Sequence, residues 1–98
     1  MRFDVRVLPS AEDDVARARD WYEDKAELGL AFVDEFEALL DRLRTLPKRF
    51  PEVRTGLRRI LFIRFPYVLY FHLSDQRVDV VAVLHSRSGP TKVARRTS

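Results

Sequence analysis

The stretch LRRILFIRFPYVLYFHLSDQRVDVVAVLHSR, residues 57–87, decides the fold of this chain. Val, Ile, Leu, Phe and Tyr dominate it, and residues that favour turns occur only at Phe65-Pro66 and at 74–76. β-Branched and aromatic residues favour strands, and short polar breaks between such runs favour turns. The stretch therefore predicts three consecutive antiparallel strands.

The last of these strands is apolar on both of its faces. Side chains alternate between the two faces of a strand, so one face should carry Val78, Val80, Ala82 and Leu84 and the other Asp79, Val81, Val83, His85 and Arg87. Two apolar faces indicate that both are covered. We expect helices to cover the first face, and we interpret the second as a docking surface for another molecule. The alternatives are a C-terminal tail folded over it, or simple tolerance of exposed apolar residues.

The N-terminal half predicts a strand followed by a helix. Residues 2–8 alternate between apolar and charged side chains, as expected for a strand with one buried face, and Pro9 ends it. Ser10 occupies the position of a helix N-cap, and acidic residues follow in the first turn. Trp21 and Tyr22, late in this helix, are interpreted as packing residues against the helix partner or the sheet.

A second helix is predicted over about residues 30–46, because large apolar side chains recur there at helical spacing. Gly29 is the expected stop of the first helix. The two helices form a hairpin, after which the strand at Leu57 should run antiparallel to the first strand. The prediction is an α+β fold, a two-layer sandwich of order β-α-α-β-β-β, with one domain over 1–87 and a basic, mobile C-terminal tail over 88–98.

Composition is that of a globular protein without special chemistry. The 98 residues include 46% apolar and 34% charged residues and no cysteine, and the net charge is +3. Residues 1–48 carry a net −4 and residues 49–98 a net +7, which suits a basic surface that meets an acidic partner or phosphate. We expect a cytoplasmic protein that does not enter a membrane. Two histidines without carboxylates at ligand spacing predict no metal, and we expect no cofactor.

Several short motifs occur in an order that is typical of one family. They are Pro9-Ser10-Ala11-Glu12-Asp13-Asp14, Trp21-Tyr22, Leu46-Pro47, Phe50-Pro51, RFPYVLY at 64–70 and VLHSR at 83–87. In this order the chain resembles the ParE/RelE superfamily of toxins from bacterial type II toxin–antitoxin systems, and in particular its ParE-like branch, which is associated with plasmid stabilisation. The likeness covers nearly the whole chain except the tail.

The resemblance implies a helical hairpin on one face of a mainly antiparallel, curved sheet. It also implies a cognate antitoxin that wraps the toxin in a hetero-oligomer. Acidic antitoxin residues would contact the basic side chains of the meander, and apolar ones would cover its valines. The antitoxin-binding residues predicted on this basis are Arg58, Arg59, Arg64, Val81, Val83, His85 and Arg87.

The superfamily has two activities: RelE-like members cut messenger RNA on the ribosome, and ParE-like members inhibit DNA gyrase. Ribonuclease chemistry needs a general base, a cation for the developing phosphate charge and a general acid. Val68 stands where RelE-like enzymes tend to carry Arg, and no Tyr follows Tyr70, so two expected groups are missing. We therefore predict a non-catalytic toxin of gyrase. The alternatives are a ribonuclease that uses His85, Arg87 and Arg59, or a protein that has lost toxicity.

Overall fold

The computed structural model describes residues 2–97, and Met1 and Ser98, the outer ends of the predicted domain and tail, lie outside the described residues. The elements in chain order are β1 (Asp4–Val7), α1 (Pro9–Ala26), α2 (Gly29–Thr45), a 3₁₀ turn (Pro47–Arg49), β2 (Glu52–Arg54), β3 (Leu57–Leu61), β4 (Tyr67–Ser74), β5 (Arg77–His85) and α3 (Gly89–Thr97). The predicted α+β class and the meander, now β3 to β5, are confirmed.

The five strands form one open sheet in the order β1-β5-β4-β3-β2, and only the pair β1–β5 is parallel. β4 runs antiparallel to both β5 and β3, so β3 runs in the same direction as β5. Because β5 is parallel to β1, β3 also runs parallel to β1. The expectation that the strand at Leu57 would run antiparallel to the first was wrong. The reason is β2, a three-residue edge strand after Pro51 that was not predicted and that reverses the chain once more.

The helix boundaries rest on backbone geometry that differs from the predicted caps. Leu8 is the N-cap of α1 and makes no side-chain cap bond, and Pro9 takes the first helical position. Ser10, predicted as the cap, instead donates its hydroxyl to the carbonyl of Val81 at 3.0 Å. At the other end Glu27, with φ of 55°, adopts the left-handed conformation that was assigned to Gly29.

Gly29 begins α2 and has a different role. A Cβ atom at this position would lie 3.0 Å from the Arg19 carbonyl oxygen and 3.0 Å from the Glu23 Cβ atom. The absence of a side chain therefore lets α2 start against α1, and the Glu23 carboxylate accepts the Gly29 N–H at 3.1 Å. The hairpin is fixed at its tip by this contact.

A β-bulge on β5 changes which residues share a face. Tyr70 pairs with Ala82 and Phe71 pairs with Val80, so Val81 is an extra residue in the ladder. Val78, Val80 and Val83 consequently pack with the helical hairpin in one core cluster, whereas Val81, Ala82 and Leu84 belong to a second cluster on the opposite face. The predicted strict alternation along β5 was wrong from Ala82 onward for this reason.

The second face is covered by α3. Val93 of this helix is fully buried and packs in the second cluster with Leu57, Val68, Tyr70 and the residues from β5. The sequence predicts a mobile tail over 88–98, and the structure has a helix over Gly89–Thr97. Coverage by the chain's own C-terminal segment was the alternative interpretation of the apolar face, and this is the arrangement found.

Candidate functional site

A groove of about 590 Å³ lies between α1, the ends of β4 and β5 that meet at Tyr67 and His85, and α3. We call it the α1–α3 groove. Small-molecule sites commonly have volumes of a few hundred cubic ångströms, so its size is that of a binding pocket. Its lining residues are Asp14, Arg17, Ala18, Trp21, Tyr22, Pro66, Tyr67, Val83, Leu84, His85, Ser88, Lys92 and Arg96.

Asp14 joins the three elements around this groove. Its side chain is only 1% exposed and accepts hydrogen bonds from Arg17 of the same helix at 2.6 Å and from the backbone N–H of Val83 in β5 at 3.0 Å. Arg96 of α3 donates both terminal nitrogens to it, at 2.7 and 3.0 Å. A buried carboxylate needs such partners, because an unpaired charge in the interior is strongly unfavourable.

The floor of the groove keeps a positive charge after this pairing. One carboxylate, that of Asp14, faces the two guanidinium groups of Arg17 and Arg96, and the exposed Lys92 adds a third cation at the rim. The hydrogen bond with Asp14 raises the pKa of Arg96 above its ordinary value, although burial acts in the opposite direction. Arg96 therefore stays charged at neutral pH.

An aromatic wall forms one side of the groove. Tyr22 is central to it, with ring centroids 5.7 Å from Phe32, 4.7 Å from Phe65 and 6.1 Å from Tyr67. Burial, together with the neighbouring Tyr22 and Asp14, raises the pKa of Tyr67, so its phenol stays neutral well above physiological pH. Tyr22 thus packs as predicted.

Trp21 does not pack as predicted. Its side chain is 55% exposed, and its indole meets Tyr22 edge to face at 4.9 Å. A large aromatic ring that is more than half exposed and lines a groove is available to a ligand. The prediction that Trp21 is an interior packing residue was wrong, because its position on α1 lies at the groove and not against the sheet.

His85 lies half-buried at the end of β5. Its ring is 5.4 Å from that of Tyr67, and its Nδ1 accepts the backbone N–H of Arg87 at 3.2 Å. Acceptance at Nδ1 leaves the ring proton of a neutral imidazole on Nε2, so neither nitrogen presents a free lone pair. In this geometry His85 is a hydrogen-bonded structural residue of the strand end.

The three residues of the ribonuclease alternative do not converge. Arg87 lies in the turn after β5, not on the strand face of His85 as the alternation predicted. Arg59 pairs with Tyr70 of the second cluster, whereas His85 pairs with Tyr67 of the hairpin cluster. Arg59 and His85 therefore point to opposite faces of the sheet, and the structure does not bring a base and a cation together here.

Arg58 and Arg64, the remaining predicted arginines, occupy different surroundings. Arg58 donates to the carbonyl oxygens of Lys48 at 3.2 Å and Phe50 at 2.7 Å, which ties the 3₁₀ turn and the residue after it to β3. Arg64 does not share a strand face with it, since β3 ends at Leu61 and Arg64 lies in the following loop. There the backbone N–H of Arg64 donates to the Glu35 carboxylate at 3.1 Å, and the Arg64 guanidinium lies 5.9 Å from the Phe65 ring centroid.

The two predicted docking valines are inside the protein. Val81 is 3% exposed and packs with Val93, and Val83 is 1% exposed and packs under the helical hairpin. The bulge places them on opposite faces, so they do not form one surface. The exposed apolar surface expected at these two positions is thus absent from the described chain.

Sequence reasoning missed the groove, although one signal for it was present. Asp14, Arg17, Ala18 and Trp21 follow each other at i, i+3, i+4 and i+7, which places an acid, a cation and an aromatic ring on one helix face. No such signal exists for Arg96, which meets Asp14 across 82 positions of sequence. Within residues 2–97 no cluster of His, Asp or Glu could hold a metal ion, and no helix there is long and apolar enough to span a bilayer.

Comparison with known proteins gives the family. The family described as "ParE toxin of type II toxin-antitoxin system, parDE" matches residues 5–90, which is most of the chain. The chain belongs to the ParE toxin family. Two relatives named "Toxin ParE2", from Mycobacterium tuberculosis strains CDC 1551 / Oshkosh and H37Rv, are each 30% identical over 94 residues, covering 91% of this chain and 87% of the relative.

The fold of the ParE family is also found in a solved structure titled "Chromosomal ParDE TA system from P. aeruginosa". One chain of it matches with a TM-score of 0.76 over 85% of this chain and 95% of its own length. The identity is 15%, so this likeness supports the fold alone. The resemblance expected from the sequence is confirmed, and the chain is a ParE-like toxin of the type II toxin–antitoxin class by family.

Proposed function

We propose that this ParE-like protein inhibits DNA gyrase by binding and is neutralised by a cognate antitoxin in a cytoplasmic hetero-oligomer. The observation that carries the proposal is the family match over residues 5–90. Relatives named as ParE2 toxins and a fold shared with a ParDE toxin–antitoxin system agree with it. Gyrase works in the cytoplasm, so the same proposal places the protein there.

The antitoxin contacts are proposed at the exposed cations of the meander. Arg59, Arg64 and Arg87 are exposed, and the half-buried His85 lies beside Arg87. Because Arg59 and His85 lie on opposite faces of the sheet, an antitoxin would have to wrap around the sheet to contact all four side chains. Arg58 already donates to the carbonyl oxygens of Lys48 and Phe50 and is therefore a weaker contact. Val81 and Val83 contribute indirectly, because they support the strand that carries His85.

Charge reversal tests this interface. The cognate antitoxin is sought in the neighbouring reading frame, and its affinity for the wild-type protein is compared with that for Arg59→Glu and Arg64→Glu. Loss of a favourable contact and gain of a repulsive one should weaken binding by about tenfold or more per variant, about 1.4 kcal/mol. Arg19→Glu, an exposed position on α1 outside the proposed interface, is the matched control. Equal affinity for all four proteins would refute this interface.

The ribonuclease alternative predicts messenger RNA cleavage that depends on His85. If the protein cut ribosome-bound messenger RNA, His85→Ala would abolish the cleavage, whereas the geometry above leads us to expect no cleavage by the wild type. The backbone N–H of Arg87 occupies Nδ1 of His85, and Arg59 lies on the opposite face of the sheet. Purified protein incubated with translating ribosomes provides the measurement, and specific cleavage dependent on His85 would favour the alternative.

A further inference from the structure

The α1–α3 groove carries positive charge that its own residues do not neutralise. Asp14 is the one acidic residue among those that line it, against Arg17, Lys92 and Arg96. Arg17 uses one nitrogen for Asp14, and its side chain is 68% exposed, so its other donors remain available. Charges in a partly enclosed site are screened less than charges on an open surface. The groove is therefore suited to an anion.

The groove also offers a flat aromatic surface next to these donors. Trp21 follows Arg17 by four positions on α1, so the two side chains are neighbours on one helix face. The indole lies against the Tyr22 ring, with centroids 4.9 Å apart and the two ring planes nearly perpendicular, and Trp21 stays 55% exposed. Indole faces stack with nucleobases at a gain of roughly 1–3 kcal/mol per base.

We propose that the α1–α3 groove binds a phosphorylated nucleoside, with the base stacked on Trp21 and the phosphate held by Arg17 and Lys92. Ser88, also in the lining, can donate its hydroxyl to the same phosphate. An acidic peptide would satisfy the cations and leave the indole face unused, which is why the ligand combines phosphate with a planar ring. The ligand is a free nucleotide or a segment of single-stranded nucleic acid. The proposal does not depend on gyrase as the target.

The single tryptophan of the chain provides a direct readout. ADP, adenosine, inorganic pyrophosphate and a short oligodeoxyadenylate are titrated into the full-length protein at low salt, with tryptophan emission excited at the red edge and corrected for absorption by the ligand. We expect saturable quenching by ADP and by the oligonucleotide and none by adenosine at the same concentrations. Added salt should weaken binding, because the phosphate contacts are ionic. Tighter binding of ADP than of the oligonucleotide identifies a free nucleotide, and the reverse identifies a strand segment.

Two pairs of variants separate this site from general cation exchange. Lys92→Glu should weaken ADP binding by about tenfold, about 1.4 kcal/mol, whereas Lys48→Glu, an exposed position outside the groove, should not. Trp21→Leu, measured by calorimetry, should weaken ADP but leave pyrophosphate unchanged. Thermal unfolding of each variant verifies that it folds. No saturable ADP or oligonucleotide binding at millimolar concentration, equal binding of adenosine and ADP, equal loss in both lysine variants, or full competition by polyglutamate would overturn the proposal.

Discussion

Asp14 and Arg96, 82 positions apart in sequence, form a two-pronged ion pair that attaches α3 to α1 and β5. The carboxylate is buried and also accepts the N–H of Val83. This one side chain therefore joins α1, β5 and α3 around the α1–α3 groove.

Removal of the Asp14 carboxylate should cost more stability than removal of its partner. Asp14→Ala leaves the buried Val83 N–H without an acceptor and Arg96 without its counter-charge, which we expect to lower the free energy of unfolding by about 3 kcal/mol. Arg96→Ala leaves Asp14 with Arg17 and Val83, so the loss should be about 1–2 kcal/mol. Urea unfolding measures both. An equal or reversed order of the two losses would contradict the role assigned to Asp14.

The anchoring of α3 on the second face should depend on Val93. This side chain is fully buried in the second core cluster, so Val93→Ala should cost about 2 kcal/mol through lost burial and the cavity left behind. The backbone amides of α3 should then exchange with solvent faster, while those of β4 retain their protection. Thr91→Ala, at an exposed position of the same helix, is the control and should change neither. Unchanged exchange in α3 after Val93→Ala would contradict this packing.

At the tip of the helical hairpin, substitutions at two nearby positions should change the stability in opposite directions. Gly29→Ala places a Cβ atom 3.0 Å from backbone and side-chain atoms of α1, and we expect a loss of about 1–3 kcal/mol from overpacking. Glu27→Gly relieves a left-handed residue with φ of 55° and should raise stability by up to about 1 kcal/mol. Thermal unfolding of the two variants gives both signs. Destabilisation by Glu27→Gly together with a neutral Gly29→Ala would contradict this account.

Stability should fall at alkaline pH through two tyrosines. Burial raises the pKa of Tyr67 and of Tyr70 above the ordinary tyrosine value of about 10. In Tyr70 the nearby Arg59 lowers the pKa by a smaller amount. A raised native pKa means that the phenol ionises less readily in the folded protein than in the unfolded chain. The free energy of unfolding is therefore at its full value below the unfolded pKa near 10 and falls as the pH rises through the native pKa. Urea midpoints measured from pH 8 to 11 should therefore decline, and less so in Tyr67→Phe. Parallel curves for the two proteins would contradict the assignment to Tyr67.

The sequence predicted most of the fold because its signals are local. The alternating strands, the helical stripe that contains Phe32 and Phe36, and the order of motifs each depend on neighbouring residues. The bulge was not predictable in this way, since Val80 and Val81 are chemically alike and either register buries apolar side chains. The short strand β2 was missed because it contains only three residues, two of them charged.

The candidate site was less predictable than the fold because it is assembled from distant parts. The sequence predicts Arg96 in a mobile tail, whereas its ion pair with Asp14 and the burial of Val93 hold α3 in place. Trp21 was assigned to the core because aromatic residues are usually buried there. Its exposure follows from its position on α1, which lies at the groove and not against the sheet.

The most direct test of the proposed function is gyrase activity in the presence of the purified protein. Relaxed plasmid, gyrase and ATP are incubated with increasing toxin, and supercoiled, relaxed and linear plasmid are separated after detergent and protease treatment. The account predicts loss of supercoiling or accumulation of linear DNA as the toxin concentration increases. Prior addition of the antitoxin should prevent both effects. Full supercoiling at a large molar excess of toxin would contradict it.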